Sequence, residues 1–319
     1  MDKLVSVVLP TFNGEEFIEQ SIESVLNQSY KNLELIIVND CSSDSTPYII
    51  EEFAKTDSRI KIIHNKSNQK LPKSLNIGFN EANGEYWTWT SDDNYYLDNA
   101  IEEMVAYLEE NPNKVLVCTD FTNVHIDTNG NSSESEFVVS EKIEDLIYWD
   151  SVGACFLYRA EVARSIGGYD ESCFKVEDYE YWLRMGLEGE FGTIHKNLYA
   201  YRLRPQSLTG TQKLYEVAGK TERLLLKYLP LYLKKYPNLD LKLKCKLRLC
   251  FINGEDYKLK ELWEKCSLRE KRDFYIYLRT CYVSLKDEKY REAIAQISLF
   301  YRFKFWIWLL SRKHKLEQS

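Results

Sequence analysis

Apolar runs and helical spacings alternate from the start of the chain. Residues 4–10 (LVSVVLP) form a β-branched run closed by Pro10, the pattern of a buried strand. Phe17, Ile18, Ile22, Val25 and Leu26 then recur at helical spacing within 15–28. The run 33–39 (LELIIVN) predicts a second strand, a polar turn covers 40–44, and 45–55 predicts a helix. Strands follow at 60–64, 85–90 and 114–120, separated by helices at 71–82 and 97–110. Short connections between alternating elements predict an α/β fold: a Rossmann-like, mostly parallel central sheet with helices on both faces.

Ligands of such sheets bind beyond the carboxyl ends of the strands. Polar clusters stand there: Pro10-Thr11-Phe12-Asn13, Asn39-Asp40 and Ser91-Asp92-Asp93. Three clusters after three strands predict one shared cleft. No Gly-x-Gly-x-x-Gly follows the first strand and no Gly-x-x-x-x-Gly-Lys-Ser/Thr loop occurs, which disfavours dinucleotide dehydrogenases and P-loop enzymes. Residues 121–150 are polar and irregular, with a turn signal at 129–133. After Gln212 glycine becomes rare and Lys, Leu and Tyr at helical spacing take over. The expected division is a first domain, 1–212, and a helical region, 213–319.

Charge sharpens that division. The net charge is -7, but residues 213–319 carry 25 Lys and Arg against 13 Asp and Glu, while 1–212 carry 17 against 36. The first part is acidic and the second basic, so they suit different partners. An acidic first part repels phosphate backbones, which argues against nucleic acid as a partner. The eight cysteines contain no Cys-x-x-Cys pair, and no signal peptide is evident, so reduced thiols in the cytoplasm are expected. No stretch approaches the roughly 20 apolar residues of a membrane span.

Three segments carry a family resemblance. VSVVLPTFNGEEFIEQSIESVLNQSYKNLELIIVNDCSSDST, NGEYWTWTSDDN and IGGYDESCFKVEDYEYWLRM resemble, in that order, the nucleotide, metal and acceptor segments of family 2 glycosyltransferases. The resemblance covers roughly residues 3–208. It implies a GT-A fold and inverting, non-processive transfer of a sugar from a nucleoside-diphosphate donor to an acceptor hydroxyl. Synthesis of capsule, O-antigen or another surface polysaccharide is the expected setting.

The resemblance also implies roles. Asp93 would ligate a divalent metal, Mn2+ or Mg2+, with Asp92 at the ribose or the metal shell. Hard cations of this kind prefer oxygen ligands. The family often has a third acidic residue where Thr90 stands. Asp40 would accept a hydrogen bond from N3–H of uracil, or from the same edge of thymine, in a pocket lined by Pro10, Thr11, Phe12 and Glu15. Lys73 and Asn76, at the start of a helix, are candidates for the diphosphate. Arg204 stands where relatives often have His; it cannot ligate a metal but can bind phosphate. Asp178 would be the general base that takes the acceptor proton. Glu177, Trp182, Gly153 and Ala154 would shape the acceptor and donor-sugar region.

The same residues suit plainer roles. Asp92-Asp93 before a helix can cap it, Asn39-Asp40 can form an Asx turn, and Glu177-Asp178 can complement a helix dipole. Residues 300–315 mix aromatics with Lys and Arg, as in a helix lying on the anionic inner face of a membrane. Packing on the catalytic domain or a homodimer interface is the other outcome. Two further readings use the same fold: a sugar-nucleotide-forming nucleotidyltransferase, and a non-catalytic sugar-nucleotide-binding scaffold. The first would need a Gly-rich, Arg-containing loop after strand one, which Pro10-Thr11-Phe12-Asn13 is not.

Overall fold

A computed structural model describes residues 2–127, 132–139, 143–147, 150–204, 214–238, 246–247, 250, 256–267, 269–271 and 274. Residues 129–131 of the turn expected at 129–133, and the basic, aromatic segment 300–315, lie outside the described residues. The chain divides into two compact units, 1–212 with Tyr228–Pro237, and 213–227 with 238–319.

The first unit is built on β1 (Val5–Thr11), β2 (Leu33–Asn39), β3 (Ile60–His64) and β4 (Tyr86–Trp89), with α1 (Ile18–Leu26), α2 (Thr46–Thr56) and α3 (Leu71–Asn80) between them. Every residue of β1 is buried, and so is all of β2 except Glu34. That burial explains why both read as continuous apolar runs, as central parallel strands do. Pro47 and Pro72 stand in the first turns of α2 and α3, where a missing N–H costs nothing. After β4 come a two-residue strand, β5 (Tyr95–Tyr96), α4 (Ala100–Glu110), β6 (Lys114–Thr119), β7 (Phe121–Ile126) and β8 (Ser132–Phe137). Then follow α5 (Ile143–Leu146), β9 (Phe156–Arg159), α6 (Ala160–Ile166), α7 (Glu177–Glu188), β10 (Glu190–Ile194) and β11 (Tyr199–Leu203).

The main sheet has seven strands in the order β10-β6-β9-β4-β1-β2-β3. It is parallel except for β9, which runs antiparallel to β4 and β6. Because β9 is reversed, its start lies at the same end of the sheet as the finish of β1, β2, β4 and β6. Residues 150–155 therefore reach the end where the three polar clusters stand. This topology agrees with the α/β fold expected from the sequence.

A second sheet, in the order β5-β11-β7-β8, was not expected. Only Asp120 separates β6 from β7, so the chain passes from one sheet directly into the other. Asp120 fixes that corner: its Oδ1 accepts from Val139 N at 2.9 Å, and His195 Nδ1 lies 3.1 Å from its Oδ2. His195 thus sits on Asp120 at this corner.

The helix α8 (Leu214–Lys235) ends in the first unit. Tyr232 donates to Leu183 O and Tyr236 to Gly186 O, each at 2.9 Å, and the Lys235 ammonium reaches Leu187 O. Gly186 O and Leu187 O belong to the last turn of α7 and lack intrahelical partners. For that reason 228–237 groups with the first unit, although the boundary read from the sequence put it beyond 212. In the second unit α9 (Asp256–Lys265) precedes buried Cys266 and Phe274. Among the described residues no helix is long and apolar enough to cross a membrane, and Cys41, Cys118, Cys155, Cys173, Cys250 and Cys266 are unbridged.

Candidate active site

The turn after β1 is laced to the turn after β2. Asn13, in the left-handed region at φ 55°, accepts from Ser43 N at 2.9 Å, and its own N–H donates to Ser42 Oγ at 3.0 Å. Glu15 accepts from Ser45 N at 2.8 Å, so its carboxylate holds the start of α2. Pro10 and Thr11 are buried, whereas Phe12 is 50% exposed at the mouth of the same loop.

Asp40 is 4% exposed and already heavily used. Its Oδ1 accepts from Asn65 Nδ2 at 2.8 Å and Gln69 N at 2.7 Å, and its Oδ2 accepts from Lys70 N at 2.9 Å. The carboxylate thereby ties β2 to the loop before α3. Among the described residues Oδ2 accepts that one donor, and a carboxylate oxygen has the capacity for a second. A base edge with a single N–H between two acceptors matches that capacity. Cys41 follows in the left-handed region at φ 68° with its thiol exposed.

Asp92 lies against the end of β1. Its Oδ2 accepts from Thr11 Oγ1 at 2.6 Å and Phe12 N at 3.3 Å. Gly14 makes this approach possible, since a Cβ there would lie 2.4 Å from Asp92 Oδ2. Burial, then the charge of Asp93, raises the Asp92 carboxyl to about 6. Asp93 Oδ2 accepts from Arg204 Nη2 at 3.0 Å. Asn94 Oδ1 accepts from Arg202 N at 2.8 Å, which locks the Asp92-Asp93 loop onto β11. Thr90 is 1% exposed and its hydroxyl is 2.6 Å from that of Tyr199. A carboxylate at 90 would be enclosed beside Tyr199, which accounts for the missing third acid.

Among the described residues no group of three or more His, Cys, Asp and Glu is placed to hold a metal. Two adjacent carboxylates nevertheless fit a divalent cation. Such a cation commonly takes one or two carboxylates and completes its shell with phosphate oxygens and water.

Asp178 occupies the first turn of α7, and its Oδ1 is shielded from solvent without a hydrogen-bond partner. Burial, then the charges of Glu177 and Asp150, lifts its carboxyl well above the ordinary range. Asp150 was not singled out from the sequence, because it ends a stretch without periodicity. Its own carboxyl is raised to about 6 by burial, against the lowering effect of the Val152 and Gly153 amides. Gly153 adopts φ +77°, and a Cβ there would meet Phe121 at 2.5 Å, so this turn needs glycine. Ala154 beside it is half-buried, and Glu177 is 4% exposed.

Two expectations change. Trp182 is fully buried, with its ring 4.6 Å from Phe156 and 6.1 Å from Tyr158, so it forms core beneath the site and does not line it. Asn76 donates to Tyr169 O at 2.9 Å and accepts from Tyr169 N at 2.7 Å. Its amide therefore joins α3 to the Gly168-Tyr169 turn, leaving half-buried Lys73 as the basic group at the start of α3. Tyr169 stacks on Tyr181 at 4.1 Å and accepts from Trp89 Nε1 at 3.1 Å, so the turn also reaches the end of β4.

α7 is held rigidly. Arg184 donates from Nε and Nη2 to the Glu180 carboxylate and from Nη1 and Nη2 to Ile166 O and Gly168 O, at 2.8–3.0 Å. Tyr228 also donates to Glu180.

The family model for Glycosyl transferase family 2 matches residues 6–167. An uncharacterized glycosyltransferase of Haemophilus influenzae is 29% identical over 246 residues, 73% of this chain and 75% of that protein. EpsE of Bacillus subtilis is 33% identical over 205 residues, 62% of this chain and 72% of its own. An uncharacterized glycosyltransferase of Rickettsia bellii is longer, and the match spans 30% of it. Among solved structures, S. aureus TarS 1–349 with UDP-GlcNAc superposes with a TM-score of 0.60 at 18% identity, over 94% of this chain and 92% of that one. The mannosyltransferase PcManGT of Pyrobaculum calidifontis, with GDP-Man and Mn2+, gives 0.54 at 13% identity, over 96% and 83%.

Proposed function

The chain belongs to glycosyl transferase family 2 and is a glycosyltransferase, and from that premise we propose that it is an inverting, non-processive enzyme using a nucleoside-diphosphate sugar, with uridine as the base. Asp40 supports the choice of base, because the capacity of its Oδ2 for a second donor suits N3–H of uracil. TarS carries UDP-GlcNAc and PcManGT carries GDP-Man on the same fold, so a nucleotide sugar is the natural donor class.

The observation that carries the reading is Asp178, a shielded carboxyl with an unpartnered oxygen and a raised proton affinity. A base of that kind takes the proton of an incoming hydroxyl in a site that excludes water. The acceptor oxygen attacks the anomeric carbon, its proton passes to Asp178, and the bond to the diphosphate breaks with its electron pair on the leaving oxygen. One displacement on the face opposite the leaving group inverts the anomeric centre. Asp93, with Asp92 beside it, would hold Mn2+ or Mg2+, which would supply Lewis-acid neutralisation of the leaving diphosphate. Lys73 and Arg204 add positive charge for the same group, while Gly153, Ala154 and Glu177 shape the pocket.

The acceptor is a glycan or lipid-linked glycan hydroxyl in surface-polysaccharide synthesis, with the protein in the cytoplasm and in contact with the inner leaflet. Screening UDP-, GDP- and dTDP-sugars for a rise in Tm, with and without Mn2+, tests the donor assignment. A UDP-sugar is expected to give the largest metal-dependent rise. A larger rise with a GDP-sugar, or none with any donor, would refute it.

A further inference from the structure

Arg204 and Arg202 both act on Asp93 from the end of β11. Arg204 Nη2 donates to Asp93 Oδ2 at 3.0 Å while Nη1 lies 3.3 Å from Glu16 Oε2. Arg202 donates to the Asp93 carbonyl and to Gln20 Oε1. Both guanidinium groups rest over the Phe17 ring, Arg202 at 4.6 Å and Arg204 at 4.7 Å. The Asp93 and Arg204 side chains are 14% and 23% exposed, so their pair is partly shielded from solvent, whereas Glu16 is 70% exposed. The shielded contact is the stronger of the two.

We propose that Arg204 is the resting counter-ion of Asp93 and excludes a divalent cation from it until a diphosphate draws the guanidinium away. The proposal rests on the donor reading above. A guanidinium 3.0 Å from Oδ2 of Asp93 takes up one of that oxygen's acceptor directions and repels a second positive charge at the same carboxylate, which weakens metal binding there. A guanidinium never deprotonates at working pH, so only a competing anion releases it. A diphosphate is such an anion, and its oxygens match the two-pronged donor geometry of arginine. Metal and nucleoside diphosphate therefore bind together, each weakly alone. Linkage requires the two enhancements to be equal.

The test uses the full-length protein and Mn2+ binding followed by the electron paramagnetic resonance of the free ion. Without nucleotide, Arg204→Gln is expected to bind Mn2+ about 10-fold more tightly than the unmodified protein, and UDP is expected to tighten Mn2+ less in the variant. Equal Mn2+ affinities, or binding by neither protein, would overturn the exclusion. Calorimetry on the unmodified protein needs no substitution: UDP should tighten Mn2+ by the factor with which Mn2+ tightens UDP, and independent binding overturns the hand-over. If UDP binds neither protein, the donor reading fails and the hand-over with it. The Mn2+ gain in Arg204→Gln alone still decides whether Arg204 guards Asp93.

Discussion

At the scale of single residues, the proposed base, Asp178, senses the charge of its neighbour Asp150. A base must be ionised to accept a proton, and Asp178 is held in its acid form to an unusually high pH by burial and by two neighbouring carboxyls. Transfer is therefore expected to rise with pH along a limb governed by Asp178. Asp150→Asn removes one of the charges that raise it. The limb should move to lower pH, read from kcat/KM against pH, while a profile that stays in place would show that Asp150 does not act on the base. Gly14→Ala makes a different prediction. Its Cβ would lie 2.4 Å from Asp92 Oδ2, so Asp92 must give way, and Mn2+-dependent donor binding should weaken by about 10-fold or more at small cost to Tm.

At the scale of elements, α7 carries Asp178 and is anchored by Arg184, which joins Glu180 of the same helix to the carbonyls of Ile166 and Gly168. Glu180 is 1% exposed, so Arg184→Ala leaves a nearly enclosed carboxylate without its cation. A loss of about 3 kcal/mol is expected by denaturant unfolding, with kcat falling more than donor affinity. Sequence revealed the elements that bury continuous apolar runs: β1 and β2 are enclosed, and nothing but their pattern was needed. The second sheet was hidden because β8, SSESEF, is polar and exposed along most of its length, and because β11 joins β5 and β7 across a long sequence separation. Asp40 and Asp92-Asp93 were legible as polar groups after strands. Asp150 was not, since its importance comes from a reversed strand that returns 150–155 to the carboxyl end of the sheet. Trp182 misled because an aromatic on a motif helix suits core and ligand alike, and only packing distinguishes them.

At the scale of the whole molecule, the buried carboxyls couple stability to pH. Asp92 and Asp150 are raised to about 6, and Asp178 is raised well above its ordinary value. Unfolded carboxyls of this type titrate near 4, so the folded state holds these protons more tightly. Their contribution is complete below about pH 4 and is lost as pH rises through about 6 and beyond. Chemical denaturation at pH 5 and at pH 7.5 should find this contribution smaller at the higher pH. Asp150→Asn should flatten the difference and raise stability at pH 7.5, by on the order of 1–3 kcal/mol. An unchanged pH dependence in the variant would remove Asp150 from this account. The site is thus built at the expense of stability, as expected where ionisable groups are enclosed for use.

The central claim is that Asp178 removes the acceptor proton in a cleft whose donor side is formed by Asp40, Asp92 and Asp93. Its most direct test is the transfer rate of Asp178→Asn, with donor affinity measured on the same protein. The account predicts a fall in kcat of about 10²- to 10⁴-fold, with the dissociation constant for UDP in the presence of Mn2+ little changed. A variant that transfers sugar at the unmodified rate would contradict it.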